Sequence, residues 1–214
     1  MRLILRIFLL ALIAAAVQNA TAQQLIPTRG KDFWMGFMRN YDGPQRQDLF
    51  ISSDVATSGT VNAPLYGWSV PFTVAANTVT TVQVPVDLMN AGSETVDTRG
   101  IRIQSQDTVA VYALSFQNAT ADATVVYPVK SCGTEYRVQA YRGFPSIAQY
   151  SSEFLIVATA DDTEVEIVTT AATVGGHAAG DTWTVTLNAG QSYQVRALED
   201  VGDLTGSLVR GTPE

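Results

Sequence analysis

The residue types that carry catalysis or tight metal binding are few in this chain and far apart. One histidine, His177, and one cysteine, Cys132, stand 45 residues apart, so the closely spaced His and Cys ligands of a zinc site are not available. His177 lies in Gly175-Gly176-His177-Ala178-Ala179-Gly180, which reads as a flexible loop with nothing to fix an imidazole tautomer for a triad. Gly206-Ser207-Leu208 lacks the Gly-x-Ser-x-Gly frame of a nucleophile elbow. Two of the 20 acidic residues meeting across a cleft would suit glycoside hydrolysis, but no motif marks such a pair. The inventory points away from an enzyme, and no cofactor is expected.

Oxygen-rich turns are the remaining ion candidates. Asp161-Asp162-Thr163-Glu164 offers the hard donors that calcium prefers, with Asp161 and Asp162 as the weak candidate ligands; Asp54 takes a similar place earlier. The stronger reading is that Asp favours turns because its side chain bonds its own backbone. Neither an EF-hand spacing nor a Gly-Asp repeat is present, so no metal is expected. Asp122 and Glu153 each sit beside an apolar strand. If buried, each requires hydrogen bonds or a cation such as Arg137 or Arg142. For ligand recognition, exposed rings are the natural anchors. Tyr41, Tyr66, Trp68, Tyr141, Phe144 and Tyr150 fall in stretches that read as loops. Tyr66-Gly67-Trp68 is the first choice, because a glycine between two aromatics lets both rings point outward, onto a sugar or into a protein pocket. The opposing reading is that these rings plug the ends of a β-sandwich. Asn118-Ala119-Thr120 is an N-glycosylation sequon, meaningful only in a eukaryotic secretory route.

The elements that must position these residues are legible from a segment that occurs twice. Phe72-Thr73-Val74-Ala75-Ala76-Asn77 runs on to Val82-Gln83-Val84, and Trp183-Thr184-Val185-Thr186-Leu187-Asn188 runs on to Tyr193-Gln194-Val195, an offset of 111 residues. Each copy alternates apolar and polar residues, turns, and alternates again, the pattern of a β-hairpin with Thr or Gln on its wet face. Asp203-Leu204-Thr205-Gly206 corresponds to the stretch that ends at Gly100, an offset of 106 residues, and the strand around Phe154 corresponds to that around Phe50. Short strands separated by turn residues fill the remainder, with no helical periodicity. The chain is expected to be all-β: tandem immunoglobulin-like sandwich modules, residues 30–150 with a connecting segment and residues 151–214, the second incomplete. A β-propeller-like arrangement is the alternative. A strand that follows Gly100 has no counterpart after Gly206. The chain is therefore expected to be a fragment with an unpaired sheet edge near Leu208-Val209, unless another segment fills that place.

Residues 1–22 read as a signal peptide: Arg2 and Arg6, an apolar run, then Ala20-Thr21-Ala22. Residues 23–29 read as a linker. The apolar run is shorter than the ~20 residues that span a bilayer, so a cleaved signal fits better than an anchor, with no membrane insertion after cleavage. Without Arg2 and Arg6, 11 basic residues face 20 acidic ones, a net charge of −9, which repels nucleic acid. A single cysteine rules out an internal disulfide and fits a bacterial source better than a stapled animal domain. Cys132 is read first as a buried small hydrophobe, and second as a bridge to another chain or to a further part of its own.

The order of Gly30-Lys31-Asp32-Phe33-Trp34, Leu49-Phe50-Ile51-Ser52-Ser53, Ala121-Asp122-Ala123-Thr124-Val125-Val126-Tyr127-Pro128, Gly133-Thr134-Glu135-Tyr136, Ser152-Glu153-Phe154-Leu155-Ile156-Val157-Ala158-Thr159 and Asp203-Leu204-Thr205-Gly206-Ser207 resembles the N-terminal domain family of the IgG Fc-binding protein, bacterial surface and secreted members included. The resemblance runs from about Gly30 to Val209. It implies a non-enzymatic, extracellular, adhesion-type module for a protein or glycan ligand, with further modules of the same protein beyond residue 214. It carries no residue-level Fc motif onto this chain. A structural stalk or spacer without its own ligand is the second reading, and an exported hydrolase the distant third.

Overall fold

The computed structural model describes residues 26–41, 43–143, 150–198 and 202–212. The segment expected as a signal peptide lies outside them. Among the described residues no helix is long and apolar enough to cross a membrane. The chain is all-β. A first unit contains β1 (Arg29–Met35), β2 (Arg46–Ser53), β3 (Thr57–Ala63), β4 (Trp68–Val74), β5 (Thr78–Val84), β6 (Val96–Asp97), β7 (Ile101–Gln117) and β8 (Thr120–Val126). Then follow β9 (Glu135–Arg137), β10 (Glu153–Val157), β11 (Thr163–Val168), β12 (Thr182–Leu187), β13 (Ser192–Arg196) and β14 (Leu208–Gly211).

One order of strand pairing occurs twice. In the first unit β2 pairs with β5 and β3 with β4. In the second, β10 pairs with β13 and β11 with β12, in the same nested order. β7 lies beside β3, and β14 beside β11. Val61 faces Ile103 and Ile167 faces Val209, both partners displaced by the 106 residues that separate the two glycines. The outer flank repeats too: Phe33 of β1 faces Ile103, and Tyr136 of β9 faces Val209. Gly30-Lys31-Asp32-Phe33 and Gly133-Thr134-Glu135-Tyr136 therefore hold equivalent places, and β9, which precedes residue 151, helps to build the second unit. Each flank carries an ion pair to the neighbouring strand, Asp32–Arg102 at 2.7 Å and Glu135–Arg210 at 2.8 Å.

The repeated segment differs from expectation in one respect: it is not a hairpin. Its two strands leave the tight turn for different partners, β4 for β3 and β5 for β2. β12 and β13 part in the same way. Each copy is an arch across the core. An arch and a hairpin both bury every second residue, so alternation alone does not separate them. In β4 and β5 the buried set is Phe72, Val74, Val82 and Val84, which joins Phe33, Leu49, Ile51, Val61, Ile101 and Ile103 in one core. The second core draws Phe154, Val195 and Tyr193 from one sheet and Val165, Ile167, Leu187 and Val209 from the facing one. This is sandwich packing. Propeller blades would be separate four-stranded sheets around a channel, and the nested pairing rules that alternative out.

β7 distinguishes the two units. Its first part runs between β1 and β3, and its second part, from Ala110 to Phe116, runs between β2 and β8. One strand thus serves both halves of a curled seven-stranded sheet ordered β4-β3-β7-β2-β5. β14 serves only the first of these roles. The edge expected to be open near Leu208-Val209 is instead covered, because β14 sits between β11 and β9; β9 is the counterpart of β1 and does not take the place of the second part of β7. Among the described residues β10, the counterpart of β2, is a sheet edge: it pairs with β13 alone, whereas β2 lies between β5 and β7.

The units are joined through β13. β6, from the first unit, extends the β10-β13 sheet by pairing Val96 with Tyr193 and Asp97 with Ser192. This covers both edges of β13, and the side chains of Ser192, Tyr193, Gln194 and Val195 are all buried. Gln194, assigned to a wet face by alternation, instead accepts the Arg39 N–H at 3.2 Å and donates to the Gly92 carbonyl at 2.8 Å. The Ser192 hydroxyl donates to Asn90 Oδ1 at 2.6 Å. Glu94 reaches into the second unit, where its carboxylate accepts from the Thr173 hydroxyl and the Gly175 N–H. At the tightest point the Gly100 N–H donates to the Gly190 carbonyl at 3.0 Å. A Cβ on Gly100 would lie 2.5 Å from that oxygen, closer than atoms pack without a backbone shift. Gly100→Ala is therefore expected to lower stability by about 1–3 kcal/mol, the range for overpacking a tight site. Urea unfolding checks this; an unchanged midpoint would show that the joint is loose.

Candidate functional site

Three of the loop tyrosines come together where the units meet. Tyr41 follows β1, Tyr141 follows β9 and Tyr150 precedes β10. Asn40 fixes the first of them. Its buried amide donates to the Ser115 hydroxyl at 2.9 Å, and its Oδ1 accepts the Tyr41 N–H at 2.6 Å and the Thr120 hydroxyl. An Asn that bonds the following backbone in this way holds a turn. The Tyr41 and Tyr150 ring centroids are 4.9 Å apart at an interplanar angle of 37°. Tyr141 stands 93% exposed beside them. The rings line a cleft of about 500 Å³ together with Arg39, Arg142 and Glu153. It offers apolar ring faces for stacking, phenol hydroxyls, and both signs of charge.

Glu153 is the electrostatic centre of this cleft. Its side chain is 17% exposed, and Arg196 Nε lies 3.6 Å away. Burial pushes the carboxyl up to about 7, and the attraction of Arg196 and then of Arg39 only partly opposes it. Burial, followed by repulsion from Arg39, lowers the Arg196 guanidinium. Loss of water outweighs the ion pair at this separation, as it commonly does for enclosed charges.

The remaining anticipated residues are dispersed. Tyr66 is exposed in the turn between β3 and β4, while Trp68 opens β4 and packs partly buried against the first core. The two rings of Tyr66-Gly67-Trp68 therefore do not form one outward platform, and they lie on a different loop from the tyrosine cleft. Asp161 Oδ1 accepts the Ala189 N–H, and the Asp162 N–H donates to Asn188 Oδ1, both at 3.0 Å. Asp162 has a φ of 55°, a left-handed turn position that Asp tolerates. Among the described residues no three His, Cys, Asp or Glu side chains gather as a metal site. Asp122 is exposed on β8. Arg137, offered as a partner for Asp122 or Glu153, donates instead to the Gly206 carbonyl at 3.2 Å; the cation beside Glu153 is Arg196. Cys132, expected to be buried, is exposed. Phe144 lies outside the described residues.

His177 also departs from its reading as an unheld loop residue. Its ring stacks on Trp183 with centroids 3.8 Å apart and planes within 1°, and its Nε2 lies 3.8 Å from Glu94 Oε1. The glycine loop is held because Glu94 arrives from the other unit, a contact with no trace in local sequence. Arg39, Asn40 and Arg196 escape sequence reasoning for the same cause. The tyrosines are visible one by one, but their convergence depends on the joint between units.

Residues 122–213 match the family model described as IgGFc binding protein. The human IgGFc-binding protein (Homo sapiens) is 29% identical over 190 residues, which cover 85% of this chain. The chain spans about 3% of the length of that curated relative. No solved structure matches. The resemblance read from the ordered motifs is borne out.

The position of Glu153 predicts a signed pH effect. Its carboxyl titrates near 4.5 when unfolded and at about 7 when folded, so the folded state holds the proton more tightly. The stability that this contributes is full below the unfolded value and is lost as pH rises through about 7. The loss is on the order of 3 kcal/mol, since each tenfold difference in proton affinity is worth about 1.4 kcal/mol. Glu153→Gln should remove most of this pH dependence and exceed the parent protein in stability above neutrality. Denaturation midpoints between pH 4 and 8 measure it; a variant with the parent's slope would show that Glu153 is solvated.

Proposed function

We propose that this chain, a relative of the IgGFc-binding proteins, is an extracellular, non-enzymatic binding module of a secreted or cell-surface protein, and that a protein or glycan ligand seats in the cleft of Tyr41, Tyr141 and Tyr150. The observation that carries the reading is the convergence of these rings from three separate segments onto one cleft with Arg39, Arg142 and Glu153. Tyrosine is a rigid, amphipathic contact with little rotamer freedom to lose on binding. Arginines beside the rings add planar donors for carboxylates and sulfates. The relative's name makes immunoglobulin Fc the first protein to test, and acidic mucin-type glycans suit the arginines.

The cleft is a contact surface rather than a reaction centre. A buried carboxyl near 7 is compatible with proton transfer, but among the described residues the charged groups that line the cleft with Glu153 are the guanidiniums of Arg39 and Arg142 and the carboxylate of Asp122. Asp122, the other carboxylate of the cleft lining, is exposed to solvent.

A glycan and glycoprotein array that includes immunoglobulin and mucin tests the proposal. Binding to one class is expected to fall at least about tenfold on Tyr41→Ala with Tyr141→Ala, the scale of a lost aromatic hot spot. Tyr66→Ala with Trp68→Ala, on the separate turn, should leave binding within about twofold. The reverse pattern would move the site to Tyr66 and Trp68. A blank from folded protein would favour a spacer.

A further inference from the structure

The nested pairing repeats in both units, but the edge strand equivalent to β2 is covered only in the first. When Val82 is matched to Tyr193 at the offset of the repeated segment, their partners Leu49 and Ile156 are matched as well. In that frame Arg46, Asp48 and Phe50 of β2 correspond to Glu153, Leu155 and Val157 of β10. The first three face Phe116, Leu114 and Tyr112 of β7.

The backbone of β10 points the matching groups outward. The Ala158 N–H donates to the Gln191 carbonyl, the Gly190 N–H to the Ala158 carbonyl, and the Ala197 N–H to the Ser152 carbonyl. In an antiparallel ladder, bonding toward one neighbour recurs at every second residue. Ser152, Phe154, Ile156 and Ala158 therefore bond toward β13, and Glu153, Leu155 and Val157 present their N–H and C=O groups to the uncovered side. Along that side run two adjoining hollows of about 320 and 390 Å³, both lined by Tyr136, Ile156, Val157 and Val209. Their floor is apolar and belongs to the second core: Val209 is buried and Ile156 packs against it. In the first unit the equivalent space is filled by Val111 and Ala113 of β7.

We infer that the β10 edge is a strand-acceptor site, taking an extended peptide segment antiparallel to β10 with small or β-branched apolar side chains at every second position. The peptide backbone would bond to Glu153, Leu155 and Val157, and its apolar side chains would enter the groove between Ile156 and Val209. This is recognition by strand addition: the ladder supplies affinity, and the alternate pockets supply the pattern. An exposed edge is otherwise an aggregation liability, usually blunted by charge, proline or a bulge. In β10 the one charged residue is Glu153 at its start, and Phe154-Leu155-Ile156-Val157 holds no charge, proline or bulge. The inference does not depend on the tyrosine cleft's being a ligand site.

The probe is a synthetic peptide with the sequence of residues 108–117 of this chain and added terminal lysines, mixed with the folded protein and followed by amide exchange. Amides of Leu155 and Val157 are expected to slow by at least about tenfold, as for groups entering a protected ladder. N-methylation of the peptide at its Tyr112 and Leu114 positions, whose counterparts in β7 face β2, should abolish this. N-methylation at the Val111 and Ala113 positions, on the opposite side of the strand, should preserve it. Protection indifferent to which set is methylated, or no protection from peptide at its solubility limit, would overturn the inference. Concentration-dependent protection of the same amides without peptide would overturn it as well, in favour of a dimer joined edge to edge.

Discussion

The structure depends on one constraint: every backbone N–H and C=O that a strand pair presents must find a partner or meet water. Each nested set of four strands satisfies its inner groups through two ladders and exposes the outer ones. The first unit resolves this with β7, which turns a corner and bonds β3 with one half and β2 with the other. The second unit draws β6 from its neighbour to cover β13 and uses β9 to cover β14. The two units are therefore one folded object, and β10, unlike its counterpart β2, has no strand on the side opposite β13 among the described residues.

The joint that results is polar. Ser192, Gln194, Asn90 and Glu94 bond across it where a core would place aliphatic residues. Buried polar groups of this kind stabilise only when fully partnered, and they then favour one arrangement over others. The tyrosine cleft is a product of the same joint. Arg39 is held by Gln194 of the other unit, and Tyr150 leads into β10 while Tyr41 follows β1. The candidate binding surface thus exists only when both units are assembled.

Much of this is legible in the sequence. The alternation of Phe72 to Val84 and Trp183 to Val195 locates four strands and their buried faces, and the offset of 106 residues reappears as a ladder register. Two kinds of feature are not legible. Alternation records which face of a strand is buried but not which strand lies beside it, so it makes a hairpin of an arch and gives Gln194 to solvent. Long-range polar contacts have no period at all. Glu94 against the His177 loop, and Arg196 beside Glu153, require the fold. Tyr66-Gly67-Trp68 stands out because its residues are adjacent in sequence, whereas Tyr41, Tyr141 and Tyr150 are adjacent only in space.

Amide hydrogen exchange along β2 and β10 in the chain alone tests whether the strand pairing that occurs twice is flanked on both sides only in the first unit. In β2, Asp48 and Phe50 bond to β7 while Leu49 and Ile51 bond to β5, so all four amides should be protected. In β10, Phe154 and Ile156 should be protected through β13, while Leu155 and Val157 exchange much faster. Uniform protection along β10 at low protein concentration would contradict the account, because it would mean that the second unit already covers its edge.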